Sequence, residues 1–209
     1  MTKVKVCGIT NLEDALMSVQ LGADTLGFNF FVRSPRYIAP KLAEEIIKKL
    51  PAEVLNVGVF VNETSEILTG IANESGIDLI QLHGDETPEF AEEIRVSTGL
   101  DVIKAFRVTE QFYTANVVRY GVDAILLDSY SLTGRGGTGE KFDWNIAAQV
   151  RELFPKFYLA GGLNPLNVAE AIKTVRPYAV DACSGLESSK GIKDQNKVEA
   201  FIRNVREAL

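Results

Sequence analysis

Residues 157–185 read FYLAGGLNPLNVAEAIKTVRPYAVDACSG. The apolar run FYLA stops at the glycine pair Gly161-Gly162. Asn164-Pro165 follows, an N-cap type of residue with proline next to it, as helix starts favour. Val168, Ala171, Ile172 and Val175 then recur at helical spacing, and a second apolar run opens at Ala179. Strand, helix and strand in this order make a βαβ unit, whose two strands lie parallel.

The same alternation fills the rest of the chain. Further apolar runs are VKVCG from Val4, ADTLGFNF from Ala23, LNVGVFV from Leu55, IDLIQLH from Ile77, DVIKAF from Asp101 and DAILLD from Asp123, which brings the total to eight. They are nearly continuous in Val, Ile, Leu and Phe, as strands buried on both faces should be. Between them lie helical stripes: Leu12, Ala15, Leu16 and Val19 behind a Thr10/Glu13 capping box; Leu42, Ile46, Ile47 and Leu50; and Ile67, Leu68 and Ile71 behind an N-cap at Thr64. Thr87-Pro88 opens a fourth helix, Thr109 to Arg119 carries a weak fifth, and Val198, Phe201, Ile202 and Val205 form the last stripe. Eight strands with intervening helices predict an α/β fold, a (β/α)₈ TIM barrel over residues 1–209 as a single domain. Closure leaves no sheet edge. An open doubly wound sheet is the alternative, but no G-x-G-x-x-G follows the first strand to support dinucleotide binding.

Composition narrows the function. A hydrophobic share of 46% with 24% charged residues is that of an ordinary soluble globular protein. A net charge of -6 argues against nucleic acid, which needs a basic footprint, but leaves room for a small anion in a local site. Cys7 and Cys183 fit no disulfide framework, and one histidine, His83, excludes a multi-histidine metal site. No apolar run reaches the length of a membrane span, and the N-terminal MTKVKVCGIT does not read as a signal peptide. The expectation is a cytoplasmic protein without metal, cofactor or membrane partner, either a monomer or a homodimer.

In such a barrel the chemistry sits where strands end. Those ends carry Cys7, Gln81 with His83, Asp128, the Gly161-Gly162 pair, and Asp181 followed by Cys183-Ser184-Gly185. The loop after the second run carries Arg36, and the loop after the sixth is rich in glycine from Gly134 to Gly139. Gly161 and Gly162 either make a tight turn or let backbone N–H groups approach an anion. Ser184 and Gly185 on the next strand favour phosphate. Cys7 is either a buried structural thiol or, before a glycine and a helix start, an activated one. Asp128 caps an apolar strand and is either an acid/base group or a capping residue. To act as an acid it must have its pKa raised from about 3.9. Arg36 is either a solvated charge or a bidentate carboxylate clamp.

These segments resemble the phosphoribosylanthranilate isomerase family of tryptophan biosynthesis: KVCGIT at 5–10, GFNFFVRSPRYI at 27–38, VGVFVN at 57–62, QLHGDE at 81–86, LLDS at 126–129, GGTGEKFDW at 136–144, LAGGLNP at 159–165 and SGLES with GIKD near the end. The resemblance spans essentially the whole chain. It implies a cofactor-free barrel that turns N-(5-phosphoribosyl)anthranilate into 1-(2-carboxyphenylamino)-1-deoxyribulose 5-phosphate by an Amadori rearrangement. It implies Cys7 as general base, Asp128 as general acid and Arg36 on the anthranilate carboxylate. Gly161, Gly162, Ser184 and Gly185 would hold the phosphate, with Asp181 supporting that end and Gln81 and His83 lining the pocket. One departure is visible: where a serine pair is expected, this chain has Cys183-Ser184. Cys183 is therefore not expected to touch the ligand. Other phosphate-binding barrels fit less well. An epimerase wants several metal-binding histidines, and an indoleglycerol-phosphate synthase wants a lysine where strand 1 ends in Cys7. A barrel that only senses a phosphorylated metabolite would have no need of the Cys7/Asp128 pair.

Overall fold

The computed structural model describes residues 1–108, 114–128 and 144–208. The glycine-rich stretch from Gly134 to Gly139 and the first residues of the weak fifth helix lie outside them. Eight strands form a closed parallel barrel in sequence order. They are β1 (Lys3–Cys7), β2 (Thr25–Asn29), β3 (Leu55–Phe60), β4 (Leu79–Leu82), β5 (Asp101–Arg107), β6 (Ala124–Asp128), β7 (Phe157–Ala160) and β8 (Ala179–Ala182). All eight apolar runs are strands. The helices are α1 (Leu12–Gln20), α2 (Pro40–Ile47), α3 (Ser65–Ser75), α4 (Pro88–Thr98), α5 (Thr114–Val117), α6 (Trp144–Leu153), α7 (Val168–Val175) and α8 (Gln195–Glu207).

Strand register sorts the residues into two cores. Lys5 pairs with both Thr25 and Asp181, Cys7 with Gly27, Gln81 with Val59 and Ile103, and Leu126 with Ala105 and Tyr158. These positions face the barrel interior, where Val57, Ile103, Ala105, Leu126, Tyr158 and Ala179 form one apolar cluster. The alternate residues, such as Val4, Val6, Leu26, Phe28, Ile80 and Leu127, join the larger cluster under the helices. Side chains of a strand alternate between faces, so a strand with both faces covered shows no polar period in its sequence.

A repeated clamp ties the bottom of the barrel. The sequences Gly22-Ala23-Asp24, Gly76-Ile77-Asp78 and Gly121-Val122-Asp123 lead into β2, β4 and β6. Each aspartate accepts a hydrogen bond from a backbone N–H on the preceding strand: Val4 to Asp24 at 2.8 Å, Asn56 to Asp78 at 2.8 Å and Val102 to Asp123 at 2.9 Å. The backbone N–H of the same aspartate donates to the carbonyl of that partner, so each residue grips the strand twice.

Helix starts show where local rules compete. Thr64 and Thr87 cap α3 and α4 as expected, with Pro88 in the first turn of α4. The α1 cap is Asn11, not Thr10: Asn11 Oδ1 accepts from Asp14 N and its amide donates to Asp14, while the Thr10 hydroxyl donates to the Gly191 carbonyl. The start expected at Asn164-Pro165 is instead a turn, and α7 begins at Val168. Asn164 Oδ1 accepts from Leu166 N, and Asn167 Oδ1 accepts from Asn164 N while its own N–H donates to the Asn164 carbonyl, so these bonds close a turn before the helix opens. Leu42 and Ile67 sit on the exposed sides of their helices, where Ala43, Ile46 and Leu68 face the core. After β8 the chain adds a single 3₁₀ turn, Ser184–Leu186, and a small antiparallel hairpin, β9 (Glu187–Ser189) and β10 (Ile192–Lys193), which the sequence reading did not include.

The clamp at Asp78 yields a measurable outcome. Asp78→Ala leaves the Asn56 N–H unsatisfied and should cost about 1–3 kcal/mol in urea unfolding, with Thr87→Ala at the α4 cap as a comparison of about 1 kcal/mol. A loss below a few tenths for Asp78→Ala would show that the clamp does not bear on stability.

Candidate active site

The last inward-facing positions of the strands meet at the C-terminal end of the barrel in a cavity of about 290 Å³. It is lined by Cys7, Arg36, Gln81, His83, Asp128, Gly161, Gly162, Asp181 and Ser184, together with Asn29 and Cys183. Gly185 does not line it: a Cβ there would stand 2.1 Å from the Leu163 carbonyl oxygen, so this glycine lets the β7 and β8 loops pack together. Gly161 and Gly162 take φ of +86° and +64°, the left-handed region that glycine enters without strain.

Cys7 ends β1 and is almost fully buried. Its place depends on Gly27 across the ladder, where a Cβ would lie 2.7 Å from Cys7 Sγ. Two buried cations border it. Lys5, two residues earlier on the same inward face, pairs with Asp181 at 3.0 Å. Lys193, from β10, donates to the Cys7 carbonyl at 2.6 Å and to Glu187 at 3.3 Å. The adjacent Cys183 thiol, working against burial and joined by the charges of Lys5 and Lys193, holds the Cys7 thiol well below its ordinary range. Proximity to Cys7, and then burial, push the Cys183 thiol far up, and its Sγ donates to Glu187 Oε1 at 3.7 Å. Burial lifts Asp181 to about 6 against the pull of Lys5. Burial opposes the Lys5 charge too, but Asp181 and Cys7 outweigh it and raise its pKa.

Asp128 ends β6 on the other side of the cavity, half-buried. His83 Nε2 lies 3.3 Å from Asp128 Oδ2, and Gln81 Nε2 lies 2.7 Å from His83 Nδ1. The two ring nitrogens thus link Gln81 on one side to Asp128 on the other. The turn after His83 is fixed from below. Lys104 Nζ donates to the Gly84 carbonyl and to Glu86, both at 2.7 Å, and Glu86 accepts from Gly84 N.

Arg36 reaches the cavity from the β2–α2 loop. Its Nε and Nη2 each donate to the Glu187 carboxylate at 2.7 Å. This bidentate bond fixes the guanidinium plane and leaves its Nη1/Nη2 edge for a second carboxylate. The hydrogen bond to Glu187 raises Arg36 above its ordinary value. Burial pushes Glu187 up, but Arg36 and Lys193 overcome this and hold it low.

The model of the N-(5'-phosphoribosyl)anthranilate (PRA) isomerase family matches residues 4–204. The chain belongs to this family. A PRA isomerase from Trichlorobacter lovleyi is 50% identical over the full length of both chains, and one from Thermotoga neapolitana is 47% identical over 99% of each. Among solved structures, the PRA isomerase of Thermotoga maritima superposes with a TM-score of 0.91 at 44% identity over 99% of each chain. Another PRA isomerase, in complex with reduced 1-(o-carboxyphenylamino)-1-deoxyribulose 5-phosphate, gives 0.88 at 42% identity over the same share.

Three residues of this PRA isomerase family site escaped the sequence reading: Lys5, Lys193 and Glu187. Lys5 had a signal, since Lys5 and Cys7 are two apart on a strand and share a face. Glu187 and Lys193 lie in the segments SGLES and GIKD, but strand order gave them no role because they arrive on a hairpin outside the eight repeats. Their electrostatic role is testable. Removing the nearer cation withdraws support from the thiolate, so Lys5→Met should move the pH midpoint of Cys7 alkylation by iodoacetamide upward. Gly27→Ala should slow alkylation and turnover together by displacing Sγ. An unchanged midpoint in Lys5→Met would remove Lys5 from the account of Cys7.

Proposed function

We propose that this chain converts N-(5'-phosphoribosyl)anthranilate into 1-(2-carboxyphenylamino)-1-deoxyribulose 5-phosphate by general acid and base catalysis, with Asp128 as the acid and Cys7 as the base. The observation that carries this reading is the position of the two groups. They end β6 and β1, on opposite flanks of the β7 and β8 ends, and line one cavity.

A substrate phosphate fits against Gly161, Gly162 and Ser184. Arg36 is the one cation among the described residues of the lining, so backbone N–H groups and the Ser184 hydroxyl are the donors for the anion there. The anthranilate carboxylate fits the free edge of Arg36. Asp181 Oδ1 is buried without a hydrogen-bond partner among the described residues and suits a ribose hydroxyl. Gln81 orients His83, and His83 orients Asp128.

With the sugar held at both ends, Asp128 delivers a proton to the ribose ring oxygen. The C1′–O bond breaks and a Schiff base forms with the anthranilate nitrogen. Cys7, poised as a thiolate, takes the C2′ proton to give an enolamine, which tautomerises to the ketone. Each step moves a proton between positioned groups. Every residue named comes from one chain, so a monomer suffices and a homodimer would hold two complete sites. A T. maritima relative is described as dimeric. The setting that suits this biosynthetic step is the cytoplasm.

The test follows loss of anthranilate-type fluorescence without added metal. Wild type should turn over. Cys7→Ser and Asp128→Asn should each lower kcat about 10²–10⁴-fold with much smaller changes in KM. Full turnover in Asp128→Asn would end its assignment as the acid, and an inactive wild type would end the proposal.

A further inference from the structure

The thiol pair at the barrel seam has a chemistry that the isomerisation does not use. β1 and β8 pair with Val6 opposite Ala182, so Cys7 and Cys183 are the next residues on adjacent chains. Neighbouring strands lie about 4.8 Å apart, and disulfides span Cα distances of about 4.4–6.8 Å. Both thiols are free and both line the cavity, and the Cys183 Sγ donates to Glu187 Oε1 at 3.7 Å. Cys183 Sγ lies over Gly8, where a Cβ would come within 2.8 Å of it, so glycine next to Cys7 makes room for the second sulfur. The register therefore sets the two Cα atoms at a spacing that a disulfide can span.

We propose that Cys7 and Cys183 form an oxidation site, in which a peroxide converts the pair into a disulfide that shuts the enzyme off reversibly. The Cys7 thiolate attacks one peroxide oxygen, the O–O bond breaks, and hydroxide leaves, giving a sulfenic acid on Cys7. The Cys183 sulfur then attacks the Cys7 sulfur, and the hydroxyl departs with the Cys183 proton as water. Two thiols lose two electrons and one peroxide gains them. The low thiol value of Cys7 suits it to the first step, and the retained proton of Cys183 suits it to the second. A serine in place of Cys183 could not resolve the sulfenic acid. This chain's departure from the expected serine pair therefore protects Cys7 from over-oxidation. The loss of turnover rests on the reading of Cys7 as the base; the bond itself does not.

The test treats the full-length protein with hydrogen peroxide and then with iodoacetamide. Intact mass and turnover are read before and after dithiothreitol, each protein against its own untreated rate. Wild type should lose the mass of two hydrogens, resist alkylation at both cysteines, and recover more than tenfold in rate with dithiothreitol. Cys183→Ser should gain two or three oxygens at Cys7, a sulfinic or sulfonic acid, and stay inactive after dithiothreitol. Oxygen gain in wild type, or inactivation as irreversible as in Cys183→Ser, overturns the proposal. A disulfide formed with turnover intact would keep the site and overturn Cys7 as the base, so the two readings fail separately.

Discussion

Lys5 and Asp181 face each other inside the barrel at 3.0 Å, at the seam where the last strand meets the first. Neither charge has useful access to solvent. Removing one partner from such a pair typically costs about 3–5 kcal/mol, because the other is left buried and uncompensated. A slip of one residue along the β1–β8 ladder would turn Lys5 toward the helices and impose that penalty. The ion pair therefore favours one closure register, and that register sets Cys7 beside Cys183. The rest of the site follows, since the other strands are placed in turn by their neighbours. The pair also shapes the chemistry above it. Lys5 lends its charge to Cys7, and Asp181 keeps one carboxylate oxygen turned away from its partner.

A parallel barrel offers each strand two buried faces, and this chain gives them different work. The outward face binds the helices with Val4, Val6, Leu26, Phe28 and their counterparts. The inward face is apolar in the middle and polar at the top. Leu126 lies below Asp128 on β6, and Ala179 lies below Asp181 on β8. Interior packing holds these strand ends rigid, so their polar side chains sit at defined separations. Loops then add what strands do not reach: Arg36 from the β2–α2 connection and Lys193 from the hairpin after β8. Glu187 joins these two, bonding to Arg36 with one oxygen pair and to Lys193 with one of them.

The sequence was informative where one physical demand acted alone. Strands buried on both faces must be apolar, and all eight were readable from that. Threonines 64 and 87 were readable as caps because each hydroxyl accepts from the helix amide three residues on. Thr10 was misleading because a distant carbonyl, Gly191, competes for its hydroxyl, and the neighbouring Asn11 takes the cap. Asn164 met the same fate through its exchange with Asn167. Leu42 and Ile67 lie on helical stripes, but Ala43 and Leu68 are the residues turned to the strands. The site divides in the same way. Residues carried on strand ends were found from strand order, whereas Glu187 and Lys193 depend on a hairpin whose fold is set by the contacts it makes.

The two proposed proton-transfer groups face opposite electrostatic problems, and the fold answers each by different means. Cys7 must lose a proton in a place where burial favours the neutral thiol. The adjacent Cys183 thiol and the charges of Lys5 and Lys193 overcome that preference. Asp128 must carry a proton in a place open enough to lose it, at a half-buried strand end. No cation among the described residues pairs with it, and its contact is the Nε2–H of a histidine. Arginine or lysine there would hold the carboxylate permanently ionised. A histidine aligned by Gln81 instead gives Asp128 a ring-nitrogen contact at 3.3 Å. Among the described residues, the buried cations Lys5 and Lys193 gather at β1, while Asp128 has a histidine contact and the exposed Arg107 as its ladder partner, with the ends of β7 and β8 between the two groups.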